Sequence, residues 1–322
     1  MKKVTSILLF VVIASFLLAQ YDIVFIPKLV GIPYFNAMEE GGKKAAKDLG
    51  VNFIYSGPTT DNVAEQIQMV DNFITRKVDA IAVAPNDPAA ISSVLKKAMG
   101  SGILTMTSDT DANPDARDLF VNQARAQEIG YQMMDTVANI LGGKGKFAIV
   151  SGGPTAWNLN TWIMYLQQRL TEYSDIELVT IRYAGEDVQK AMDVGLSIMQ
   201  AFPDVEVLVG MNSTSGPGLA QAIKVAGKVG KVYATGITTP SMMKNYMKEG
   251  IVPEFILWDP VELGYLTVWV AKYLLDGNAL PAHEPIEVPG ISTKPIYYPE
   301  NKELVLGPPL VFTPENIDNY DF

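Results

Sequence analysis

Cysteine is missing altogether from the 322 residues, and histidine occurs once, as His283. The first absence excludes disulfide staples, thiolate zinc sites and thiol nucleophiles together, so stability must come from the core. The second leaves no imidazole pair for a metal and no partner for a serine relay. His283 lies in the Pro-rich segment 280–285, where a solvated linker residue is expected. Positive charge is also in short supply: 25 Lys and Arg against 35 Asp and Glu give a net charge of -10. That balance opposes phosphate backbones and anionic lipid surfaces, so nucleic acid is not an expected partner. A phosphate-binding glycine loop is wanting too, because Gly142-Gly143-Lys144-Gly145 leads into a strand and not into a helix N-terminus. Asp109 and Asp111 stand two apart and offer no metal-ligand count. No cofactor and no metal are expected, and any catalysis would have to use carboxylates or lysine.

What is there begins with Lys2 and Lys3, an apolar run from Val4 to Leu18, and Ala19 before Gln20. A positive start, an apolar stretch short for a bilayer and a small residue before a polar change read as a secretory signal peptide over 1–19. Leu17, at the minus-three position, matches the small-x-small cleavage rule poorly, which leaves an uncleaved anchor as the other reading. No cysteine follows for lipid attachment. The expected place of action is the periplasm.

From Ile23 onward short apolar runs alternate with longer amphipathic segments, the pattern of strand–helix–strand units on parallel sheets. Expected strands are 23–28, 51–55, 80–84, 103–107 and 119–121, with helices at 34–49, 63–76 and 89–99; Gly50 is the expected cap of the first helix. The pattern restarts with a helix at 127–141 and a strand at 147–150. It continues through helices at 161–173, 188–201 and 218–226 and strands at 177–182, 205–210 and 232–235. A strand at 255–258 and a helix at 261–275 follow, and then a tail broken by seven prolines between Pro281 and Pro309 that is too apolar for a free linker. At roughly 150 residues per domain, this length suits two doubly wound α/β domains.

Open parallel sheets bind ligands beyond the carboxyl ends of their strands. In this chain those positions hold Lys28, Asp109, Asn158, Asn212, Ser213 and Asp259, with Tyr34, Phe35, Trp157 and Trp258 beside them. Amides, carboxylates and a lysine pair with dense hydroxyls, and aromatic faces pack on an apolar ring face, so the set suits a small neutral sugar or related polyol. Several readings stand against ligand roles. Asp109 could be a loop or capping residue, Lys28 could pair with Asp109, and Tyr34 and Phe35 could be core. For Trp162, helix packing is the preferred reading.

Four stretches carry a resemblance: 23–31 (IVFIPKLVG), Thr107-Ser108-Asp109-Thr110, Leu257-Trp258-Asp259-Pro260 and the ending 316–322 (NIDNYDF). Together they resemble the periplasmic sugar-binding proteins of ABC importers, in the ribose-binding-like type I class, nearest the branch with autoinducer-2-binding and rhamnose-binding members. The resemblance spans the whole chain after the leader. It implies two Rossmann-like lobes joined by a three-segment hinge, 20–123 plus 254–288 and 124–253 plus 289–322. It also implies a monomer that closes over its ligand and hands it to a membrane permease, with Lys28 and Asp109 on ligand hydroxyls. Where the autoinducer-2 branch carries Asp-Gln, this chain has Asn158-Leu159, and where that branch carries Pro-Asp-Ala it has Met211-Asn212-Ser213. A lost amide would leave a ligand hydroxyl unpaired at about 1–3 kcal/mol, so a monosaccharide or deoxy-sugar is favoured over autoinducer-2. The competing reading is a secreted carbohydrate-active enzyme with Asp109 and a second carboxylate such as Asp259 as acid and base.

Overall fold

The computed structural model describes residues 20–60 and 62–322; the leader expected over 1–19 lies outside them. The first half runs β1 (Asp22–Ile26), α1 (Pro33–Leu49), β2 (Asn52–Tyr55), α2 (Val63–Arg76), β3 (Ala80–Val83), α3 (Pro88–Gly100), β4 (Leu104–Ser108) and β5 (Leu119–Asn122). The central strand β3, AIAV, is buried throughout, as a parallel strand covered on both faces must be, whereas the edge strand β2 is half exposed. Helix boundaries follow side-chain chemistry. Asp87 accepts hydrogen bonds from the amides of Ala89 and Ala90 to start α3, and Asn62 accepts from that of Glu65 to start α2. Gly50, at φ +67°, ends α1 as the sequence predicts.

The second half repeats the plan with α4 (Ala126–Leu141), β6 (Gly145–Ser151), α5 (Trp157–Leu170), β7 (Ile176–Tyr183), α6 (Val188–Ala201), β8 (Val207–Gly210), α7 (Ser215–Val225), β9 (Tyr233–Gly236) and α8 (Pro240–Lys248). Helix α5 starts four residues earlier than expected, which puts Trp157 and Asn158 in its first turn. Helix α8 was not foreseen. Its polar sequence buries few side chains, and Pro240 at its start is the main local signal. Then come β10 (Phe255–Leu257), α9 (Pro260–Leu275), β11 (Ile296–Tyr298), β12 (Glu303–Val305) and β13 (Leu310–Phe312).

Pairing settles which lobe each piece joins. The first sheet has the order β11-β12-β5-β4-β3-β1-β2 and the second β7-β6-β8-β9, while β10 pairs with β13. A parallel bridge from Ile237 to Ile256 ties β10 to the second sheet. Helix α9 returns to the first lobe and packs on α1. The two helices approach so closely that a Cβ on Gly41 would stand 1.9 Å from the Val261 carbonyl oxygen, and one on Gly264 would stand 2.0 Å from that of Met38. The chain thus crosses between sheets after β5, after β10 and between β12 and β13.

Two expected boundaries move. The strand at 255–257, assigned to the first lobe, belongs with the second, where Phe255, Ile256 and Leu257 are fully buried. Residues 296–305, assigned to the second lobe, extend the first sheet, with Glu303, Leu304 and Val305 in parallel register with Phe120, Val121 and Asn122. Strands of three residues set among prolines leave too short an alternation to read.

Candidate functional site

Between the two sheets lies a small cavity of about 50 Å³ bounded by both lobes. Its first-lobe wall is built at strand ends. Gln66, fully buried in α2, donates through Nε2 to the carbonyls of Pro27 and Ala84 and accepts from the Asn86 amide. Asn86 in turn donates to the Lys28 carbonyl at 2.9 Å. One glutamine and one asparagine therefore lock the ends of β1 and β3 and hold Lys28 at the mouth of the cavity. Gln66, one of two glutamines in α2, carries no sequence signal for this role.

Asp109 follows β4 and is 5% exposed with φ +70°, a left-handed conformation costing a non-glycine residue on the order of 1 kcal/mol. The turn brings its carboxylate to the Tyr34 hydroxyl, which donates at 2.8 Å, and to the Thr110 hydroxyl, which donates at 3.0 Å. Trp258 Nε1 donates to the same Tyr34 oxygen at 2.8 Å. Burial raises the Asp109 carboxyl above the ordinary carboxylate range, opposed by the Lys28 charge and the Tyr34 and Thr110 hydrogen bonds. Burial likewise holds the Tyr34 phenol well above its usual value. The relay Trp258–Tyr34–Asp109 fixes the carboxylate as a hydrogen-bond acceptor in a dry wall.

Across the cleft, Lys28 Nζ donates to Asn158 Oδ1 of the second lobe at 3.0 Å. The salt bridge from Lys28 to Asp109 is replaced by this contact. Around it the second-lobe wall is mainly apolar, with Leu159, Trp162, Met211, Ile237 and Leu257, and it also carries the polar residues Glu186, Asn212 and Ser213. Trp162 and Trp258 meet edge to face at 5.6 Å, and Trp258 and Tyr34 at 6.0 Å, so three rings frame one side. Trp162 is therefore both packed and cavity-lining, and Leu159 and Met211 join it, where the sequence reading looked only for polar groups and exposed rings.

Of the ten expected site residues, Lys28, Tyr34, Phe35, Asp109, Asn158, Asn212, Ser213 and Trp258 line the central cavity. Asn212 is spent on the backbone: its Nδ2 donates to the Gly185 carbonyl at 3.0 Å and its Oδ1 accepts from the Ser215 amide at 2.8 Å. Ser213 gives its carbonyl to the Thr238 hydroxyl. Two expectations are corrected. Asp259 caps α9, accepting from the amides of Val261 and Glu262 at 2.8 and 3.0 Å, and lies outside the cavity lining. Asp109 and Asp259 are therefore not brought together in the cavity, where the second carboxylate of the lining is that of Glu186. Trp157 is 52% exposed and lines only an outer groove.

The family model described as "Periplasmic binding protein domain" matches residues 23–279. The chain belongs to the periplasmic binding protein domain family. Among relatives of this binding protein is the D-ribose/D-allose-binding protein of Pseudomonas aeruginosa, 25% identical over 280 residues, 81% of this chain and 84% of that one. An ABC transporter solute-binding protein of Clostridium phytofermentas with bound L-rhamnose superposes with a TM-score of 0.86 at 29% identity, covering 94% of this chain and 98% of that one. LsrB of Clostridium saccharobutylicum in complex with AI-2 gives a TM-score of 0.86 at 25% identity, covering 94% and 100%. Both solved neighbours span the two lobes and the crossovers, so the binding-protein architecture extends beyond the matched domain to the tail. Among the described residues no helix is long and apolar enough to cross a membrane, and no group of three or more His, Asp or Glu could hold a metal ion.

Proposed function

We propose that this chain is an extracytoplasmic solute-binding protein that captures a monosaccharide or deoxy-sugar between its lobes and delivers it to an ABC importer. The observation carrying this reading is the convergence of Lys28 and Asp109 from one lobe with Asn158 from the other on a ring-lined cavity. A cavity of about 50 Å³ is far below the roughly 300–1,000 Å³ of ordinary small-molecule sites, too little for a sugar. Ligand entry therefore parts Lys28 from Asn158, and hydroxyls then take up both groups. A hydroxylated ring that donates to Asp109, accepts from Lys28 and bonds Asn158 contacts both lobes at once, and so favours the closed arrangement by its differential affinity for it. No bond is made or broken.

The mainly apolar second wall favours a ring with a hydrophobic edge over one with hydroxyls on every side, because a buried hydroxyl without a partner costs about 1–3 kcal/mol. Isothermal titration against D-ribose, D-allose, L-rhamnose, D-arabinose and autoinducer-2 tests the reading. Saturable binding of at least one sugar, with the ligand recovered intact, is expected; silence across the panel, or turnover of the ligand, would overturn it.

A further inference from the structure

The central cavity continues past Asn158. Asp109, Asn158 and Trp162 line it and also line a solvent-open groove of about 720 Å³, which runs sideways between the β4–β5 edge of the first lobe and the first turns of α4 and α5. Small-molecule sites are commonly about 300–1,000 Å³, so the groove has the size of a ligand subsite whereas the central cavity alone does not.

The groove lining is neutral in effect and rich in rings. Arg117 is bound to Asp111 through two nitrogens and to the carbonyls of Asn301 and Lys302, and Arg125 stacks over Tyr298 at 4.2 Å. Glu303 accepts from the Asn122 amide at 2.6 Å. Those charges are already engaged, and across the whole lining Asp109, Asp111, Glu300 and Glu303 outnumber Arg117, Arg125 and Lys302, which disfavours a phosphate or a carboxylate as occupant. Trp157 presents a half-exposed indole one residue before Asn158, and Gln123, 1% exposed on the first crossover, holds an Oε1 with no hydrogen-bond partner. An aromatic face next to a buried unpaired acceptor suits the apolar face and the hydroxyl edge of a pyranose.

We infer that the groove is a second subsite for a glycosyl unit: the ligand's first ring sits between Lys28 and Asp109, and a second, glycosidically linked ring lies on Trp157 with a hydroxyl donating to Gln123. This rests on the sugar-binding reading above and deepens it from one ring to two.

The test is isothermal titration of the wild type, Trp157→Ala and Gln123→Met with sugars sharing a ring: L-rhamnose and rutinose, D-galactose with lactose and melibiose, D-glucose with maltose and cellobiose. In the wild type at least one disaccharide should bind about tenfold or more tighter than its component rings, the gain of an aromatic platform plus a hydrogen bond. Trp157→Ala should cut that ratio to within about twofold of unity, and Gln123→Met should reduce it by a few-fold. A monosaccharide that binds while every disaccharide binds no tighter overturns the second subsite and leaves the sugar-binding reading standing. An advantage that survives both substitutions overturns the assignment to this groove. Silence from every sugar overturns both readings.

Discussion

The two walls of the central cavity come from lobes of the same architecture, yet they present opposite chemistry. On the first, Asp109 and Lys28 reach the cavity from strand ends with hydrogen-bonding capacity left over, because Gln66, Asn86, Tyr34 and Thr110 hold them in place. On the second, Asn212 stands at the corresponding strand end after β8, but both ends of its amide are consumed by Gly185 and Ser215. Leu159, Met211 and Ile237 fill the space around it. A polar residue at a strand end is thus a ligand group only if the local backbone leaves it something to bond with. On the proposed reading the first lobe offers Lys28 and Asp109 to ligand hydroxyls, and the second offers Asn158 beside a largely apolar surface.

The largest effect should come from Asp109→Ala, which removes a buried charged acceptor and leaves the Tyr34 hydroxyl without its partner. Losing a hydrogen bond to a charged group costs about 1.5–3 kcal/mol, so affinity should fall roughly 10- to 150-fold by titration. A loss under twofold would erase the difference between the walls. Lys28→Met should weaken binding by about tenfold, one hydrogen bond's worth, and should also remove the contact to Asn158. Small-angle scattering of the unliganded variant is then expected to show a larger radius of gyration than the wild type.

Asn212→Ala sharpens the contrast from the other side. Its cost should appear as stability, about 1–2 kcal/mol in chemical denaturation, since it orders the start of α7 and not the ligand. Asp259→Ala should likewise lower stability by about 1 kcal/mol through the lost cap on α9, with affinity within twofold of the wild type. If either variant lost affinity in place of stability, the division of labour would be wrong.

The smallest effect is the pH dependence. Because burial raises the Asp109 carboxyl in the folded state, the fold retains a proton that the unfolded chain releases. The stability contribution of this group is therefore full below the ordinary carboxylate range and is lost as pH rises through the raised value. Ligand hydroxyls donating to the carboxylate favour its ionised form, so affinity should weaken as pH falls through that same value. Asp109→Asn should flatten both profiles, and unchanged slopes would remove Asp109 from the cavity's electrostatics.

Much of this architecture was legible beforehand, for a physical reason. Parallel strands covered on both faces, such as Ala80–Val83 and Val207–Gly210, must be continuously apolar, and the helices between them carry the compensating periodicity. What could not be read depended on pairing at a distance. The three-residue strands β10 to β13 carry no alternation, so the lobe to which 255–257 and 296–305 belong is decided by register with Ile237 and with Asn122. The site divides the same way. Lys28, Asp109, Asn158 and Trp258 line the cavity because strand ends face the cleft, whereas Asp259 occupies a similar position and is consumed by a helix cap that the Asp-Pro start of α9 also signals. Trp162 and Ile237 give no such signal, because an apolar cavity wall looks, in sequence, like any other core.

A crystal structure of the complex with whichever sugar titrates most tightly tests the central claim most directly. Ligand hydroxyls should lie within hydrogen-bond distance of Lys28 Nζ and the Asp109 carboxylate on one side and Asn158 on the other, with Lys28 and Asn158 no longer bonded to each other. A sugar held by one lobe alone, or seated away from Asp109 with the Lys28–Asn158 contact intact, would contradict the account.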